Sequence, residues 1–417
     1  MSTEPVAPAT PIELACRECG ARSPAEPRSV CEECFGPLEV SYDEEFLRRH
    51  VSRESIASGP GTLWRYRPLL PVSPEDPTVD LGAGWTPLRR ATRLGEALGI
   101  SELWIKDDTR NPTAAFKDRV VAVALTKAQA FGFKTIACAS TGNLANATAA
   151  AAAWAGLDCY VFVPSNLERA KIVATAAFGA KVVAVDGTYD DVNRLCTEVA
   201  DALPWAFVNV NVRPYYAEGS KTLAFETAEQ LGWLLPGHVV VPVASGALLT
   251  KIHKGFRQLA RLGLVEDRPV RISGAQAAGC APVSTAFREG ADEIAPVRPT
   301  GIAKSLHIGN PADGHHALGI VRETGGAVDD VSDDEVIAGI RLLAETEGIF
   351  AETAGGVTIG VLRKLRESGA IREEESVVAY VTGGGFKTTE ALTGAVGPWA
   401  TVPPSFEAFE DRLEGRS

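Results

Sequence analysis

The feature that most limits the fold of this chain is a repeated alternation of short apolar runs and longer helical patterns. The apolar runs have the length and composition of strands, and they lie at residues 102–106, 134–139, 159–163, 181–185, 238–243 and 377–382. A helical pattern over residues 117–130 follows the first run, and Gly132 can end that helix in the left-handed conformation. Because strands that alternate with helices imply a parallel sheet covered on both faces, the sequence predicts an α/β fold.

The two ends of the chain differ from this α/β region in composition. Residues 1–11 read as a polar, proline-containing tail, residues 12–40 as a short cysteine-bearing unit, and residues 401–417 as a second polar tail. A chain of 417 residues is long enough for about two to three domains with proper hydrophobic cores. The α/β pattern therefore occupies residues 42–400, with room for more than one sheet.

Composition and charge exclude several classes of protein. With 41 basic and 53 acidic side chains, the net charge is −12, which repels nucleic-acid phosphates and anionic lipid surfaces. Hydrophobic residues make up 45% of the chain, yet no run reaches the roughly 18 apolar residues that a membrane-spanning helix needs. The first residues lack the basic and apolar regions of a secretory signal. The sequence thus predicts a cytoplasmic protein with a small-molecule partner, no nucleic acid and no membrane.

Two pairs of cysteines, Cys16 with Cys19 and Cys31 with Cys34, are separated by eleven residues. Each pair places two thiolates on one tight turn, and two such turns that face each other form the four-sulfur tetrahedral site that Zn²⁺ prefers. In a reducing compartment, such a cluster indicates metal rather than disulfides. Incidental buried cysteines and a redox-active pair remain as alternatives. We therefore predict a structural zinc ribbon over residues 12–40.

Zinc ribbons often bind nucleic acid, and the charge of this one bears on that possibility. Between residues 12 and 40, three arginines stand against six glutamates, which gives a local charge of −3. An acidic ribbon favours a structural appendage, in which the metal substitutes for a missing hydrophobic core. A nucleic-acid adaptor that has lost catalysis is the less favoured alternative.

The most informative stretch is Asn111-Pro-Thr-Ala-Ala-Phe-Lys117-Asp-Arg119, which follows the first predicted strand. Its lysine stands at the N-terminus of a predicted helix, next to the positive end of the helix dipole. A lysine in such a setting can form a Schiff base. From the spacing alone, an ordinary surface lysine at a helix start is the favoured interpretation.

This stretch resembles the NPTxSFKDR signature of threonine synthases, which are pyridoxal-phosphate enzymes of the tryptophan-synthase β-like fold. Further segments resemble the family in the same order along the chain, namely residues 84–88, 139–143, 241–246, 302–305, 308–311, 352–356 and 380–383. The resemblance covers nearly the whole chain, because bacterial members of this subgroup begin with a similar pair of cysteine motifs. It implies two doubly wound parallel-sheet subdomains of PLP fold type II, preceded by the zinc ribbon.

The resemblance also implies domain boundaries and a cofactor site. The small domain would comprise residues 117–212, and the large domain would join residues 42–116 to 213–400, with the cofactor between them. Lys117 would be the catalytic lysine that binds pyridoxal 5′-phosphate covalently, and Asn143 would hydrogen-bond its phenolic oxygen. Thr382 would face the pyridine nitrogen, which favours elimination and replacement over transamination. The loop that binds the cofactor phosphate through backbone amides would comprise Ala244, Ser245, Gly246, Ala247 and Leu248.

Substrate contacts follow from the same resemblance. The segment before the second helix would hold the substrate carboxylate with its backbone N–H groups, and it comprises Ser140, Thr141 and Gly142. The candidates for recognising the substrate phosphate are Asn209, Asn211 and Arg213, and a second polar group consists of Lys304 and Ser305. For each of these side chains, a solvated surface role is the alternative.

The expected activity is that of threonine synthase, a lyase that converts O-phosphohomoserine and water to threonine and phosphate. Three departures from the family pattern affect the expected substrate, and they are Ala115, Ala247 and Gly384. Each removes a possible hydrogen bond. A serine or threonine dehydratase, or a synthase that uses O-phosphoserine, is therefore the alternative. A homodimer is expected because it is common for this fold.

Overall fold

The computed structural model describes residues 9–140, 142–165, 169–187 and 189–415. The strands in these ranges are β1 Ile12–Cys16, β2 Arg22–Pro24, β3 Leu38–Tyr42, β4 Leu88–Arg90, β5 Glu102–Asp107, β6 Thr135–Ala139, β7 Asp158–Pro164, β8 Lys181–Val185, β9 Ala206–Phe207, β10 His238–Pro242, β11 Arg271–Ala277, β12 Val328–Val331 and β13 Ser376–Val381. The α-helices of the first half are α1 Glu44–His50, α2 Arg53–Ala57, α3 Thr92–Leu98, α4 Lys117–Ala130, α5 Asn143–Ala155, α6 Arg169–Ala176 and α7 Tyr189–Ala202. Those of the second half are α8 Arg213–Glu218, α9 Lys221–Gln230, α10 Ala247–Arg261, α11 Pro282–Glu289, α12 Gly314–Glu323, α13 Asp333–Glu347, α14 Thr353–Glu367 and α15 Phe406–Leu413.

The strands form three sheets. The N-terminal sheet is antiparallel, in the order β2-β1-β3. A six-stranded sheet has the order β12-β11-β10-β13-β5-β4, and its strands are parallel except for the edge strand β4. A four-stranded parallel sheet has the order β8-β7-β6-β9. Two parallel sheets preceded by a small antiparallel ribbon confirm the predicted fold class.

Helices cover both faces of the six-stranded sheet, as the alternation of side chains along its strands requires. Val240 and Ala379 pack in one core with residues of α3, α13 and α14. Their neighbours Val239, Val241 and Val378 pack in the opposite core with residues of α9, α10, α11 and α12. Because apolar side chains point to both faces, these strands read as continuous apolar runs in the sequence.

The predicted elements agree with the observed ones to within about two residues at each end. The strand at residues 181–185 and the start of α4 at Lys117 are as predicted, and Gly132 follows that helix with a φ of +87°. The strand predicted to end at Thr382 ends one residue earlier. The C-terminal segment, predicted to be a polar tail, contains a helix, α15. No helix among the described residues is long and apolar enough to cross a membrane.

The ribbon packs on the body of the protein through its first and third strands. Leu14 and Val40 are buried in the same hydrophobic core as Tyr215 of α8. The hydroxyl group of Tyr42 donates to a carboxylate oxygen of Glu218 at 2.8 Å. The ribbon is therefore fixed in position by both apolar and polar contacts.

Glu39 of β3 adds ion pairs with Lys251 and Lys254 of α10. Burial alone would raise the pKa of Glu39, but the two lysine charges more than offset this effect and lower the pKa from 4.5 to about 2. A carboxyl group with a lowered pKa adds stability that is present above its ordinary pKa and lost as the pH falls through this range. We therefore expect the free energy of unfolding, measured with urea, to fall less steeply between pH 4.5 and about 2 in E39Q than in the unchanged protein.

The matched control for this prediction is E33Q, since Glu33 is exposed on the same ribbon. We expect the E33Q profile to follow that of the unchanged protein. If E39Q and the unchanged protein lose stability in parallel as the pH falls, the ion pairs of Glu39 do not stabilise the docked ribbon.

Candidate active site

Lys117 begins helix α4 directly after a loop that leaves the carboxyl end of strand β5. The backbone N–H of Phe116 donates to the carbonyl oxygen of Thr382 at 2.9 Å, which holds this loop against the end of strand β13. The Lys117 side chain is half-buried, and its Nζ donates to the hydroxyl oxygen of Tyr216 at 2.7 Å. Tyr216 lies on α8, which shares a hydrophobic core with strands β6 and β7 of the four-stranded sheet. The amine therefore lies between elements that belong to different sheets.

Asn143 is the first residue of α5, and both polar atoms of its side-chain amide form hydrogen bonds. Its Nδ2 donates to the two carboxylate oxygens of Glu352 at 3.1 and 2.9 Å. Its Oδ1 accepts a hydrogen bond of 2.7 Å from Nζ of Lys387. The same Nζ donates to the carbonyl oxygens of Thr113 and Ala114, so Lys387 ties the loop before Lys117 to the start of α5.

Glu352, which is buried, and Lys387, which is half-buried, carry opposite charges and both bond the side chain of Asn143. Burial raises the pKa of Glu352, and the Lys387 charge and the Asn143 hydrogen bond oppose this shift. Burial also lowers the pKa of Lys387, against the charges of Glu352 and Asp118. Both shifts bring the pair closer to exchanging a proton than two solvated groups would be. The amide of Asn143 is thus fixed between a carboxylate and an ammonium group.

The loop after β10 has the geometry of an anion-binding site. Gly246 has a φ of +91°, and a Cβ on it would lie 2.6 Å from the carbonyl oxygen of Asp313. The backbone N–H of Asp313 donates to the carbonyl oxygen of Ser245 at 2.8 Å. Ala247 then begins the 15-residue helix α10, which also contains Leu248. The first turn of a helix presents backbone N–H groups that lack intrahelical acceptors, and the helix dipole favours an anion there.

A second group of polar atoms lies where β6 ends and α5 begins. Ser140 is buried, and its Oγ accepts from the backbone N–H groups of Gly142 and Ala145 at 3.4 and 3.3 Å. Asn209 donates from Nδ2 to the carbonyl oxygen of Ala139 at 3.4 Å. Its Oδ1 is buried without a hydrogen-bond partner among the described residues, which leaves an acceptor for a ligand. Thr141, which was predicted in this group, lies outside the described residues.

The remaining predicted substrate-binding residues lie in three different environments. Asn211 uses its amide within its own loop, because it accepts from the backbone N–H of Phe207 and donates to the carbonyl oxygen of Trp205. Arg213, at the start of α8, forms an ion pair of 2.7 Å with Asp313. Lys304 and Ser305 are exposed on the short 3-10 helix Lys304–Leu306. The structure thus brings Arg213 next to the anion-binding loop and leaves the pair at 304–305 at the surface.

The structure shows the surroundings of the three positions that depart from the family pattern. Ala115 is fully buried, and Ala247 is the first residue of α10. The backbone N–H of Gly384 donates to the carbonyl oxygen of Ala114 at 2.9 Å, and a Cβ on Gly384 would lie 3.2 Å from the Ala114 side chain. A side chain at position 384 would therefore crowd the loop that carries Lys117.

Four side chains that organise this site are not predictable from the sequence, and they are Tyr216, Asp313, Glu352 and Lys387. Glu352 lies within a stretch that resembles the family, but the sequence does not show which side chain a single carboxylate contacts. Lys387 follows the glycines after Thr382. This position, near the end of a predicted strand, is the one feature of the sequence that could have suggested a role for Lys387. The partners of Tyr216 and Asp313 are about 100 residues or more away along the chain.

The four cysteines of the ribbon converge on one point. Their sulfur atoms all lie within 4.8 Å of one another, with Cys16 and Cys34 at 3.4 Å and Cys19 and Cys31 at 3.7 Å. The sulfur atoms of a tetrahedral zinc site are separated by about 3.8 Å, given Zn–S bonds of about 2.3 Å. The backbone N–H groups of residues 18, 33 and 36 point to three of the sulfurs at 3.4 Å. Both the spacing and these donors suit thiolates bound to a metal.

Comparisons with known proteins agree with this arrangement. The sequence profile described as "Pyridoxal-phosphate dependent enzyme" matches residues 79–383. The threonine synthase of Methanocaldococcus jannaschii is 37% identical over 382 residues, which cover 91% of this chain and 94% of that protein. The threonine synthase of Methanosarcina acetivorans is 35% identical, with 97% of this chain and 99% of that protein covered.

Solved structures share the fold at lower identity. Diaminopropionate ammonia lyase from Escherichia coli is 19% identical, with a TM-score of 0.65, and the match covers 93% of this chain and 97% of that chain. Threonine deaminase isoform 2 from Solanum lycopersicum is 21% identical, with a TM-score of 0.62, and covers 75% and 87% of the two chains. These two likenesses concern the fold alone. From the profile match and the two close relatives together, the chain belongs to the threonine synthase family of pyridoxal-phosphate dependent enzymes.

Proposed function

We propose that this protein converts O-phosphohomoserine and water to threonine and phosphate. The observation that carries the proposal is the half-buried amine of Lys117, held by Tyr216 beside the end of β13, in a chain that aligns with threonine synthases over nearly its full length. Lys117 is then the residue that binds pyridoxal phosphate. The division into a small domain, residues 117–212, and a large domain, residues 42–116 and 213–400, is part of the same proposal.

The residues present suit this cofactor. The anion-binding loop at Ser245 and Gly246 would offer backbone N–H groups to its phosphate. Asn143 donates from Nδ2 to Glu352 and would offer the second hydrogen of that amide to the phenolic oxygen. Thr382 offers a hydroxyl to its ring nitrogen. When bound, pyridoxal phosphate supplies an electron sink for the negative charge that develops on the substrate carbon atoms.

The protein's own groups perform the remaining tasks. Lys117 accepts and returns protons at Cα and Cβ of the substrate, and its hydrogen bond to Tyr216 fixes the position of the amine between transfers. The segment that contains Ser140 and Gly142, at the start of α5, binds the substrate carboxylate. The unpaired Oδ1 of Asn209 and the guanidinium group of Arg213 position the substrate beside the amine. Water then enters to add at Cβ after the phosphate has left.

The test uses purified enzyme loaded with pyridoxal phosphate and supplied with O-phosphohomoserine. We expect equal amounts of phosphate and threonine, measured by a colorimetric phosphate assay and by amino-acid analysis. A dehydratase would instead produce a keto acid from serine or threonine, and an O-phosphoserine synthase would require an added nucleophile. Either of those results, with no threonine from O-phosphohomoserine, would contradict the proposed reaction.

We also propose that Cys16, Cys19, Cys31 and Cys34 bind one structural Zn²⁺ ion. The converged sulfur atoms and the backbone donors around them support this assignment. We expect about one zinc ion per chain in protein purified without chelator, and loss of this zinc in C19S. The measurement is elemental analysis by mass spectrometry.

The matched control for the zinc prediction is C280S, because Cys280 is buried far from the ribbon in sequence and lies outside the four-cysteine cluster. We expect C280S to retain its zinc. If C19S retains as much zinc as C280S, the cluster is not the metal site.

A homodimer is the proposed assembly, and the C-terminal segment supports it. Exposed apolar side chains are concentrated there, including Phe386, Trp399, Phe406 and Leu413, and α15 has no buried residue. An isolated helix of this length is marginal in water, so these side chains suit a contact with a second copy. We expect light scattering to give twice the 44.1 kDa mass of one chain, and a single-chain mass at micromolar concentration would contradict the dimer. A cytoplasmic location is proposed from the sequence alone.

A further inference from the structure

The two residues enclosed by the first cysteine pair both contact the start of the same helix in the body of the protein. Nη1 of Arg17 lies 2.8 Å from a carboxylate oxygen of Asp313, the residue before α12. A carboxylate oxygen of Glu18 lies 3.7 Å from Nε2 of His316, in the first turn of α12. The turn that would bind the metal is thus also the turn that contacts α12.

Asp313 connects this contact to the anion-binding loop. Its side chain is buried, while its backbone N–H donates to the carbonyl oxygen of Ser245 at 2.8 Å. Its carbonyl oxygen packs so closely on Gly246 that a Cβ there would lie 2.6 Å away. The position of Asp313 therefore determines the position of the two residues that precede α10.

A second contact of the ribbon lies one turn further along α10. Glu39 pairs with Lys251, and Lys251 also pairs with the buried Glu218 at 2.8 Å. Between the two contacts lies a cavity of about 30 Å³, lined by residues that include Arg17, Glu39, Ala247 and Lys251. This is room for one or two water molecules. The ribbon therefore packs behind the first turn of α10 and closes that side of the anion-binding loop.

Charge adds to this geometric link. The Asp313 carboxylate is shared between Arg17 and Arg213, at 2.8 and 2.7 Å. The side chain of Arg17 is 17% exposed and that of Arg213 is 34% exposed, so Arg17 is the better shielded partner. Without Arg17, a less compensated negative charge would lie directly beside a loop that binds an anion.

We propose that Arg17 is a positioning residue through which the metal-bound ribbon holds the Ser245–Gly246 loop in the form that binds the phosphate of pyridoxal phosphate. The metal fixes the turn at Cys16 and Cys19, the turn fixes Arg17, and Arg17 fixes Asp313 against the loop. The inference rests on the zinc and cofactor sites proposed above. It assigns to the ribbon a task in cofactor retention rather than in nucleic-acid binding.

The first test replaces Arg17 in the full-length protein and measures the dissociation constant of pyridoxal phosphate by titrating cofactor-free enzyme and following its visible absorbance. We expect R17A to raise this constant about fivefold to tenfold, with zinc content unchanged. R17K keeps the charge and should recover part of the affinity. The control is R22A, since Arg22 pairs with Glu13 on the exposed side of the ribbon and should bind the cofactor normally.

The second test removes zinc from the unchanged protein with a chelator and repeats the titration. We expect a rise in the dissociation constant at least as large as that in R17A, and little further rise when R17A itself is stripped of zinc. Unchanged cofactor affinity in zinc-loaded R17A overturns the proposal, and so does unchanged affinity after zinc removal. If R17A does not fold, the chelation experiment decides.

These measurements are independent of the reaction that the enzyme catalyses. Cofactor affinity is read by absorbance and zinc by elemental analysis, so a failure to form threonine would leave the outcome for Arg17 unaffected. Protein that never contains zinc would instead contradict the proposed metal site. The two kinds of failure are therefore distinguishable.

Discussion

Replacing Lys117 by alanine is expected to abolish the covalent attachment of pyridoxal phosphate and to lower turnover by about a thousandfold or more. The reason is that the half-buried amine is held by Tyr216 at the end of β13, and the K117A side chain has no group to bond the cofactor or to move a proton. The measurement is borohydride reduction of the purified protein, followed by mass mapping of the labelled peptide and by a threonine assay.

Two variants separate the chemistry of Lys117 from its effect on folding. K117R keeps a positive charge in the same place but cannot form the bond, so we expect it to be as inactive as K117A. K134A removes an exposed lysine just after α4 and should behave like the unchanged protein. A reduced label on any lysine other than Lys117 would refute the site.

The second large effect is expected from a buried charge network beneath the loop that carries Lys117. Arg119 pairs with Asp108 at 2.8 Å and with Glu226, and Lys106 pairs with Glu226 at 2.7 Å. All four side chains are buried, and the two positive charges balance the two negative ones. Burial alone would raise the pKa of Glu226, but the charges of Arg119 and Lys106 more than offset it and lower the pKa to about 2.

E226Q removes one negative charge from this network and leaves a buried positive charge uncompensated. We expect the free energy of unfolding at neutral pH to fall by about 3 to 5 kcal/mol. Glu226 also accepts hydrogen bonds from the backbone N–H groups of Trp85 and Thr86, so the loop before β4 should loosen as well. The measurement is urea denaturation followed by circular dichroism.

E374Q is the control, since Glu374 is exposed. We expect its stability to lie within about 0.5 kcal/mol of the unchanged protein. If E226Q is as stable as E374Q, the network does not require charge balance, and the buried arginine is stabilised by other means.

Much of the fold could be predicted from the sequence because strands and helices each leave a local pattern of apolar residues. The central strands of the two parallel sheets, such as β6, β10 and β13, are buried on both faces, so each appears as a continuous apolar run. Helix α15 was missed because its apolar residues, such as Phe406 and Phe409, are exposed and lie in a segment of polar composition. The sequence of this segment does not show which partner would bury these apolar side chains.

The candidate site was predictable only in part, for a physical reason. Lys117 and the loop at Ser245 and Gly246 stand at strand-to-helix junctions, which a sequence shows directly. Lys387 and Glu352 act through contacts with Asn143, whose position along the chain is more than 200 residues away. Such partners depend on how the sheets are assembled, and spacing along one chain does not reveal them.

The pairing of β5 with β13 has a consequence for synthesis of the protein in the cell. These two neighbouring strands comprise residues 102–107 and 376–381, so β5 lacks this partner until nearly the whole chain has left the ribosome. At translation rates of about 5 to 20 residues per second, the apolar edge of β5 stays open for roughly tens of seconds. An unpaired apolar edge invites aggregation, so nascent chains of this protein are expected to depend on molecular chaperones until translation is almost complete.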